Sequence, residues 1–165
     1  MSSTELTFEI DAASAEDIEA HLTRCDDSFD PRLSSRVGLT AYAEKIRRHG
    51  VTFEAWDGGT LVGLVAGYFN DTRRREGFIT SVSVEKAWGR RRVATALLRT
   101  SLEWARAHEY PAVRLEVGRE NAAAIRLYES VDFRVAEPGA DPLVMVCAGP
   151  ESRSAGPAPE PGGTP

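Results

Sequence analysis

Cysteines and long apolar runs are scarce in this chain of 165 residues, and each shortage excludes a class of protein. The two cysteines, Cys25 and Cys147, lie far apart and lack metal-ligand spacing. We therefore expect small thiols, buried or half-buried, in a reducing compartment. No run approaches the roughly 20 apolar residues of a membrane-spanning helix, and residues 1–10 are too polar for a secretory signal. These features predict a cytoplasmic protein that does not contact a membrane.

Positive charge is also in deficit, because 20 Lys and Arg residues stand against 25 Asp and Glu residues and give a net charge of −5. This balance disfavours nucleic acid as a partner, although Arg73–Arg75 and Arg90–Arg92 form two basic triplets. We interpret the first triplet as the solvated tip of a hairpin, with contact to an acidic substrate or a cofactor phosphate as the alternative. Three histidines, His21, His49 and His108, form no cluster, and we interpret them as surface residues rather than metal ligands.

What the chain does contain is enough apolar material for one folded unit. Hydrophobic residues make up 42% of the sequence, so a domain over residues 1–148 can bury a core without a metal or a disulfide. Residues 149–165 are rich in Pro, Gly, Ala and Ser and predict a disordered tail.

Hydrophobic periodicity and turn signals predict strands alternating with helices. A first helix begins at the capping-box spacing of Ser14 and Asp17, and a second spans residues 39–48 and ends at Gly50. Asp57-Gly58-Gly59 predicts a hairpin, and residues 25–35 predict a loop. The predicted strands span residues 6–10, 51–56, 60–68, 79–84, 112–117, 134–137 and 142–148.

The most informative segment is a strand, Ile79–Val84, that leads through Gly89 and Arg90–Arg92 into an amphipathic helix from Val93. Free N–H groups and the macrodipole make a helix N-terminus attractive to anions, and arginines add full positive charges. The segment therefore predicts a site for a pyrophosphate, and hence an enzyme that uses a phosphate-bearing cofactor.

This segment resembles the acyl-coenzyme A loop of the Gcn5-related N-acetyltransferase family, Gln/Arg-x-x-Gly-x-Gly/Ala, which matches Gly89–Ala94 here. The block Leu115-Glu116-Val117, Asn121, Leu127-Tyr128-Glu129 and Phe133 is similar to the family's bacterial ribosomal-protein N-terminal acetyltransferases. The resemblance covers roughly residues 61–146. It implies a single α/β domain, with a twisted, mostly antiparallel mixed sheet of six to seven strands and about four helices.

The resemblance also implies acetyl-coenzyme A as co-substrate and direct acetyl transfer to a primary amine in a ternary complex. Main-chain N–H groups of Val84 or its neighbours would polarise the thioester carbonyl. The implied cofactor-binding residues are Val82, Val84, Gly89, Arg90, Arg91, Arg92, Val93, Ala94, Thr95 and Asn121.

Three positions depart from the family pattern: Gly89 replaces Gln or Arg, Arg92 replaces a glycine, and Asp132 replaces the glycine before Phe133. Asp tolerates the left-handed backbone region better than most residues. Arg92 either crowds the phosphate or binds it through its guanidinium, and we favour binding because two more arginines precede it.

Acetyl transfer to an amine requires a base and an acid, since an alkylammonium has a pKa near ~10. Glu116 is the candidate base, because strand alternation places it opposite Leu115 and Val117 and it matches a catalytic glutamate of the ribosomal-protein enzymes. Glu76 and Glu85 are alternatives. Tyr128 is the candidate acid for the departing thiolate, on the same side of its helix as Asn121.

The acceptor is less well defined. The family resemblance places the acceptor pocket near the loop 26–38, where Asp26, Asp27 and Asp30 either attract a cationic amine or form a solvated acidic surface, the reading we favour. The connection over residues 134–142 is shorter than the substrate-gripping segment of the ribosomal-protein enzymes that this chain resembles, which weakens a carry-over of their protein substrate. We therefore expect a small-molecule amine, such as an amino sugar, an antibiotic or an amino-acid derivative, acetylated by a monomer or a homodimer. The alternatives are a protein N-terminus or lysine, and a fold that binds acyl-coenzyme A without turnover.

Overall fold

Seven strands form one sheet in the computed structural model of the protein, which describes residues 5–29, 31–89 and 92–148. The strand order is β1-β2-β3-β4-β5-β7-β6, and every neighbouring pair is antiparallel except β4 and β5. The predicted α/β class and the mixed, mostly antiparallel sheet are confirmed. The strands are β1 Thr7–Ile10, β2 Val51–Asp57, β3 Thr60–Tyr68, β4 Glu76–Val84, β5 Ala112–Val117, β6 Arg134–Glu137 and β7 Leu143–Ala148.

Four helices cover the two faces of this sheet: α1 Ala15–Cys25, α2 Leu39–His49, α3 Val93–Ala107 and α4 Ala122–Ser130. The capping box predicted at the start of α1 is present, and α2 ends at Gly50 as predicted. One core cluster joins α1 and α2 to one face, and another joins α3 and α4 to the opposite face. Across the described ranges, no helix combines the length and apolar content needed to cross a bilayer.

The alternation of β4 buries its serines more fully than its valines. Ser81 and Ser83 are buried, whereas Val82 and Val84 are only half-buried. Ser81 lies opposite Ala66 of the α1–α2 core, and the small serines allow the helices to approach the sheet closely. Both faces of this strand are therefore covered, and its polar positions do not mark a solvent-exposed face.

The pairing of β4 with β5 ends early, and this opening positions the functional site. The two strands pair only over Glu76–Ile79 and Ala112–Leu115 and have no paired residues beyond Ile79. The N–H of Glu85 donates to the carbonyl of Val62 in β3 at 2.9 Å. Because successive N–H groups of a strand alternate in direction, those of Val82 and Val84 point away from β3, into the opening.

A buried histidine ties α1 to this part of the sheet. His21 Nδ1 lies 2.9 Å from the Leu61 carbonyl oxygen, and Nε2 lies 2.9 Å from Ser83 Oγ. The side chain is fully buried, so the interpretation of His21 as a surface residue was wrong, whereas His49 and His108 are exposed. The error arose because the sequence shows the apolar stripe of α1 but not the serine that meets the ring.

Candidate active site

A cavity of about 590 Å³ lies where β4 and β5 diverge. Residues from both sides of the sheet line it, so the opening connects the α1–α2 face with the α4 face. From the α1–α2 side the lining includes Phe29, Leu33, Arg36 and Tyr42, and from α4 and the residue before it Asn121, Ala124, Leu127 and Tyr128. The strand residues that line it include Thr80, Ser81, Val82 and Glu116.

Glu116 lies in this cavity, and the alternative bases do not. Its neighbours Leu115 and Val117 belong to the α3–α4 core, so strand alternation turns Glu116 toward the opposite face. Glu76 lies 3.7 Å from the Arg114 guanidinium, and Glu85 lies 2.5 Å from that of Arg24. An exposed carboxylate beside a cavity can accept a proton and pass it to water.

Tyr128 reaches the same cavity from the other face. It is 9% exposed and packs edge-on against Phe133, with 5.9 Å between ring centroids. Burial raises the pKa of the Tyr128 phenol to about 12, because the phenolate is poorly solvated there. The hydroxyl is therefore protonated at neutral pH and can donate a proton.

Asn121 caps the helix that carries Tyr128. Its side-chain oxygen accepts a hydrogen bond from the N–H of Ala124 at 3.1 Å. Because the oxygen is engaged in the cap, the side-chain amide nitrogen is the group left to donate to a ligand. Asn121 lines the cavity at the N-terminal end of α4, close to Ala124.

In the predicted phosphate loop, the backbone at Arg92 adopts the conformation that the family's glycine at this position suggests. Arg92 is the N-cap of α3 and adopts φ 58° and ψ 28°, in the left-handed region, with its side chain exposed. No side chain of the described residues caps α3, while Val93 is buried and Ala94 and Thr95 are half-buried. Gly89 has a helical backbone with φ −66°, which a residue with a side chain could adopt equally well.

Arg90, Arg91, Asp30 and residues 149–165 lie outside the described residues, so the predictions made for them stay predictions. Asp132 adopts φ 78°, as its replacement of a glycine suggested.

Asp26 and Asp27 of loop 26–38 are not among the residues that line the cavity. The Asp26 carboxylate accepts hydrogen bonds from the Ser34 N–H and hydroxyl, both at 2.7 Å, and Asp27 lies 3.0 Å from the Arg32 guanidinium. The favoured reading, a solvated acidic loop, holds for these two residues. Among the described residues of this loop, Arg36 is the charged one that lines the cavity, and no periodicity or motif in the sequence points to it.

The first arginine triplet lies at the β3–β4 turn, as predicted, but Arg75 has a structural role there. Its guanidinium donates to the carbonyls of Glu109 and His108, each at 2.8 Å, and stacks on the Tyr110 ring at 4.6 Å. These contacts hold the hairpin to the end of α3. In the described part of the chain, no group of three or more His, Cys, Asp or Glu residues is arranged to hold a metal ion.

Comparison with known proteins identifies this architecture. Residues 15–133 match the Acetyltransferase (GNAT) family. The chain is 35% identical over 101 residues to the uncharacterised N-acetyltransferase YsnE of Bacillus subtilis, a match that spans 59% of this chain and 66% of that protein. It is 33% identical over 125 residues to the N-alpha-acetyltransferase RimI of Mycobacterium tuberculosis, spanning 75% of this chain and 73% of RimI.

A solved structure agrees with the fold. The PaiA N-acetyltransferase of Thermoplasma acidophilum, in complex with coenzyme A, superposes with a TM-score of 0.66 at 15% identity. The superposition covers 87% of this chain and 99% of PaiA. The sequence match over the helices, the cavity and the phosphate loop confirms the predicted family and the enzyme class of N-acetyltransferase. The chain belongs to the acetyltransferase (GNAT) family.

Proposed function

We propose that the protein transfers the acetyl group of acetyl-coenzyme A to the primary amine of a small molecule, by direct attack in a ternary complex. One observation carries the proposal: Glu116 and Tyr128 line one cavity from opposite faces of the sheet, where β4 and β5 diverge. The reaction needs a base within reach of the incoming amine and an acid within reach of the departing thiolate.

The described residues fit a phosphate-bearing thioester. The uncapped first turn of α3, with Arg92 beside it, suits the pyrophosphate, and Arg90 and Arg91 add positive charge in the sequence. The outward N–H groups of Val82 and Val84 suit the amide-containing arm and the thioester carbonyl, and the Asn121 amide suits the same arm. Acetyl-coenzyme A supplies the activated acyl group.

The chemical roles follow from the two faces. Glu116 takes a proton from the ammonium on the α1–α2 side, which frees the nitrogen lone pair for attack. Main-chain N–H groups of β4 stabilise the negative charge that develops on the carbonyl oxygen. On the α4 side, Tyr128 donates its proton to the sulfur as the C–S bond breaks, and its raised pKa keeps the phenol protonated beforehand. The nitrogen loses its second proton to solvent, and solvent reprotonates Tyr128.

The size of the cavity supports a small acceptor, since about 590 Å³ falls within the range of small-molecule sites. The β6–β7 connection is short and is held by Arg119, which donates to the carbonyls of Pro138 and Ala140 at 2.8 and 2.9 Å. The similarity to RimI supports a second candidate, acetylation of a peptide α-amine. Both candidates use the same base and acid.

The test is release of coenzyme A thiol from acetyl-coenzyme A across panels of small amines and N-terminal peptides. We expect small amines to be the better acceptors, with Tyr128→Phe and Glu116→Gln each lowering kcat/KM by about 10²- to 10⁴-fold at neutral pH. Glu129→Gln is the matched control, because Glu129 is exposed on α4 and does not line the cavity.

Three outcomes would contradict parts of this proposal. Wild-type kcat/KM in both variants would refute the assignment of acid and base. A preference for peptides would favour the second candidate. If saturating acetyl-coenzyme A leaves the melting temperature unchanged and no thiol is released, the transferase proposal fails.

A further inference from the structure

The charged groups of the cavity have opposite signs. Among the described lining residues, only Arg36 and Glu116 carry a charge. Arg36 precedes α2 on the loop between the first two helices, and Glu116 faces the same side of the sheet. None of the ion pairs within the described chain includes Arg36, although Arg24, Arg32, Arg114 and Arg134 all have carboxylate partners.

A polar cluster adjoins Arg36. The Tyr42 hydroxyl donates to the Thr80 carbonyl at 2.9 Å and lies 2.7 Å from the Thr80 hydroxyl. Burial raises the pKa of Tyr42, while the nearby hydroxyls of Thr80 and Ser81 and the positive charge of Arg36 act in the opposite direction. Arg36 and Ser81 therefore both lie close to the Tyr42 hydroxyl.

Ser81 adds an independent sign that a polar ligand belongs here. It is 4% exposed and lines the cavity, yet its hydroxyl oxygen has no hydrogen-bond partner of normal geometry among the described residues. A buried hydroxyl without a partner is costly, so the site favours an occupant that supplies one. An oxygen-rich anion supplies acceptors for both the hydroxyl and the guanidinium.

We infer that the acceptor is a primary amine that also carries a carboxylate, as an amino acid does, with Arg36 and Ser81 binding the carboxylate and Glu116 facing the amine. An arginine guanidinium matches a carboxylate in shape and charge. The two charges of the cavity are then complementary to the two charges of a zwitterion. This inference rests on the proposed function, because it names the substrate class of that site.

The experiment compares amino acids with the amines formed by removing their carboxylate, for example phenylalanine with phenethylamine and lysine with cadaverine. With wild-type protein, we expect kcat/KM for the acids to exceed that for their partners by about tenfold or more. Arg36→Met should bring the ratio near one by raising KM for the acid while kcat stays within about twofold, and Arg36→Lys should restore part of the ratio.

Arg32→Met is the matched control, because Arg32 is on the same loop, is exposed and does not line the cavity. It should keep the wild-type ratio. Ser81→Ala should raise KM for the acids several-fold and leave KM for the amines unchanged. If Ser81→Ala raises the melting temperature and leaves KM for the acids unchanged, the hydroxyl destabilises the fold and does not contact the substrate.

The two proposals fail differently. The inference is overturned if acids and their partner amines react equally, if Arg36→Met keeps the wild-type ratio, or if acetyl-coenzyme A binds but no acid of the panel is acetylated. In the first two cases acetylation itself continues, so the proposed function stands. Absence of both thermal stabilisation by acetyl-coenzyme A and thiol release would instead refute the proposed function.

Discussion

Arg92 affects both the stability of the fold and the affinity for coenzyme A, and Arg92→Gly should change the two in opposite directions. Arg92 has a left-handed backbone, which costs a residue with a Cβ about 1–2 kcal/mol relative to glycine. Glycine also makes the unfolded chain more flexible, which lowers the stability of the variant by about 0.5–1 kcal/mol. The free energy of unfolding of Arg92→Gly should therefore rise by about 0.5–1 kcal/mol, which for this chain length raises the melting temperature by roughly 1–4 °C.

Cofactor affinity should change in the opposite direction. The Arg92 side chain is exposed at the N-terminus of α3, so its contact with a phosphate is partly screened by water. Loss of one exposed charge contact predicts about two- to fivefold weaker binding of coenzyme A, and the difference should shrink in high salt. Isothermal titration at low and high salt, with melting temperatures of the free proteins, measures both effects.

Two further variants separate the effect of the Arg92 charge on coenzyme A binding from the effect of its backbone conformation. Arg92→Asn tolerates the left-handed region without a charge and should bind coenzyme A as weakly as Arg92→Gly. Arg92→Lys keeps the charge and should bind most nearly like the wild type. Tighter binding by Arg92→Gly than by wild type would refute the reasoning and show that the arginine obstructs the phosphate.

Two other predictions concern stability. Glu54 is fully buried and accepts hydrogen bonds from the N–H groups of Ala12 and Ala13 and from the side chains of Thr52 and Trp56. Glu54→Ala should therefore lower the free energy of unfolding, measured by chemical denaturation, by about 3 kcal/mol or more, and Glu54→Gln should lower it less. Equal stability of Glu54→Ala and wild type would contradict this. Burial lowers the pKa of His21 in the folded state, so the unfolded state takes up a proton first as the pH falls below about 6.5. The free energy of unfolding should then fall by up to about 1.4 kcal/mol per pH unit, until the pH reaches the folded pKa. His21→Gln should lack this dependence, and an unchanged slope in that variant would show that another group titrates.

Local sequence signals predicted most of the fold. The capping box at Ser14, the stop at Gly50 and the hairpin at Gly58 rest on contacts within a few residues, and all are present. The strands and helices also follow short apolar periods. Sequence resemblance supplied the family, which the match over residues 15–133 confirms.

Features that depend on distant partners were not predictable in the same way. His21 meets Ser83 across 62 positions, and Glu54 meets Ala12 across 42, so neither burial is visible in a local pattern. Arg36 lines the cavity together with residues of β4, whereas Asp26 accepts hydrogen bonds from Ser34 and Asp27 pairs with Arg32. The choice between these charges is made by loop geometry, which a polar, aperiodic sequence leaves undetermined.

The early end of the β4–β5 pairing has a consequence for the order of events. In the proposed mechanism the acceptor arrives on the α1–α2 side and the thioester occupies the α4 side, so neither molecule has to pass the other to reach the reacting atoms. The flanking strands stay paired beside the opening, β4 with β3 and β5 with β7. This arrangement requires no movement of large domains, and we expect substitutions in the α1–α2 loop to change acceptor preference without changing the affinity for the donor.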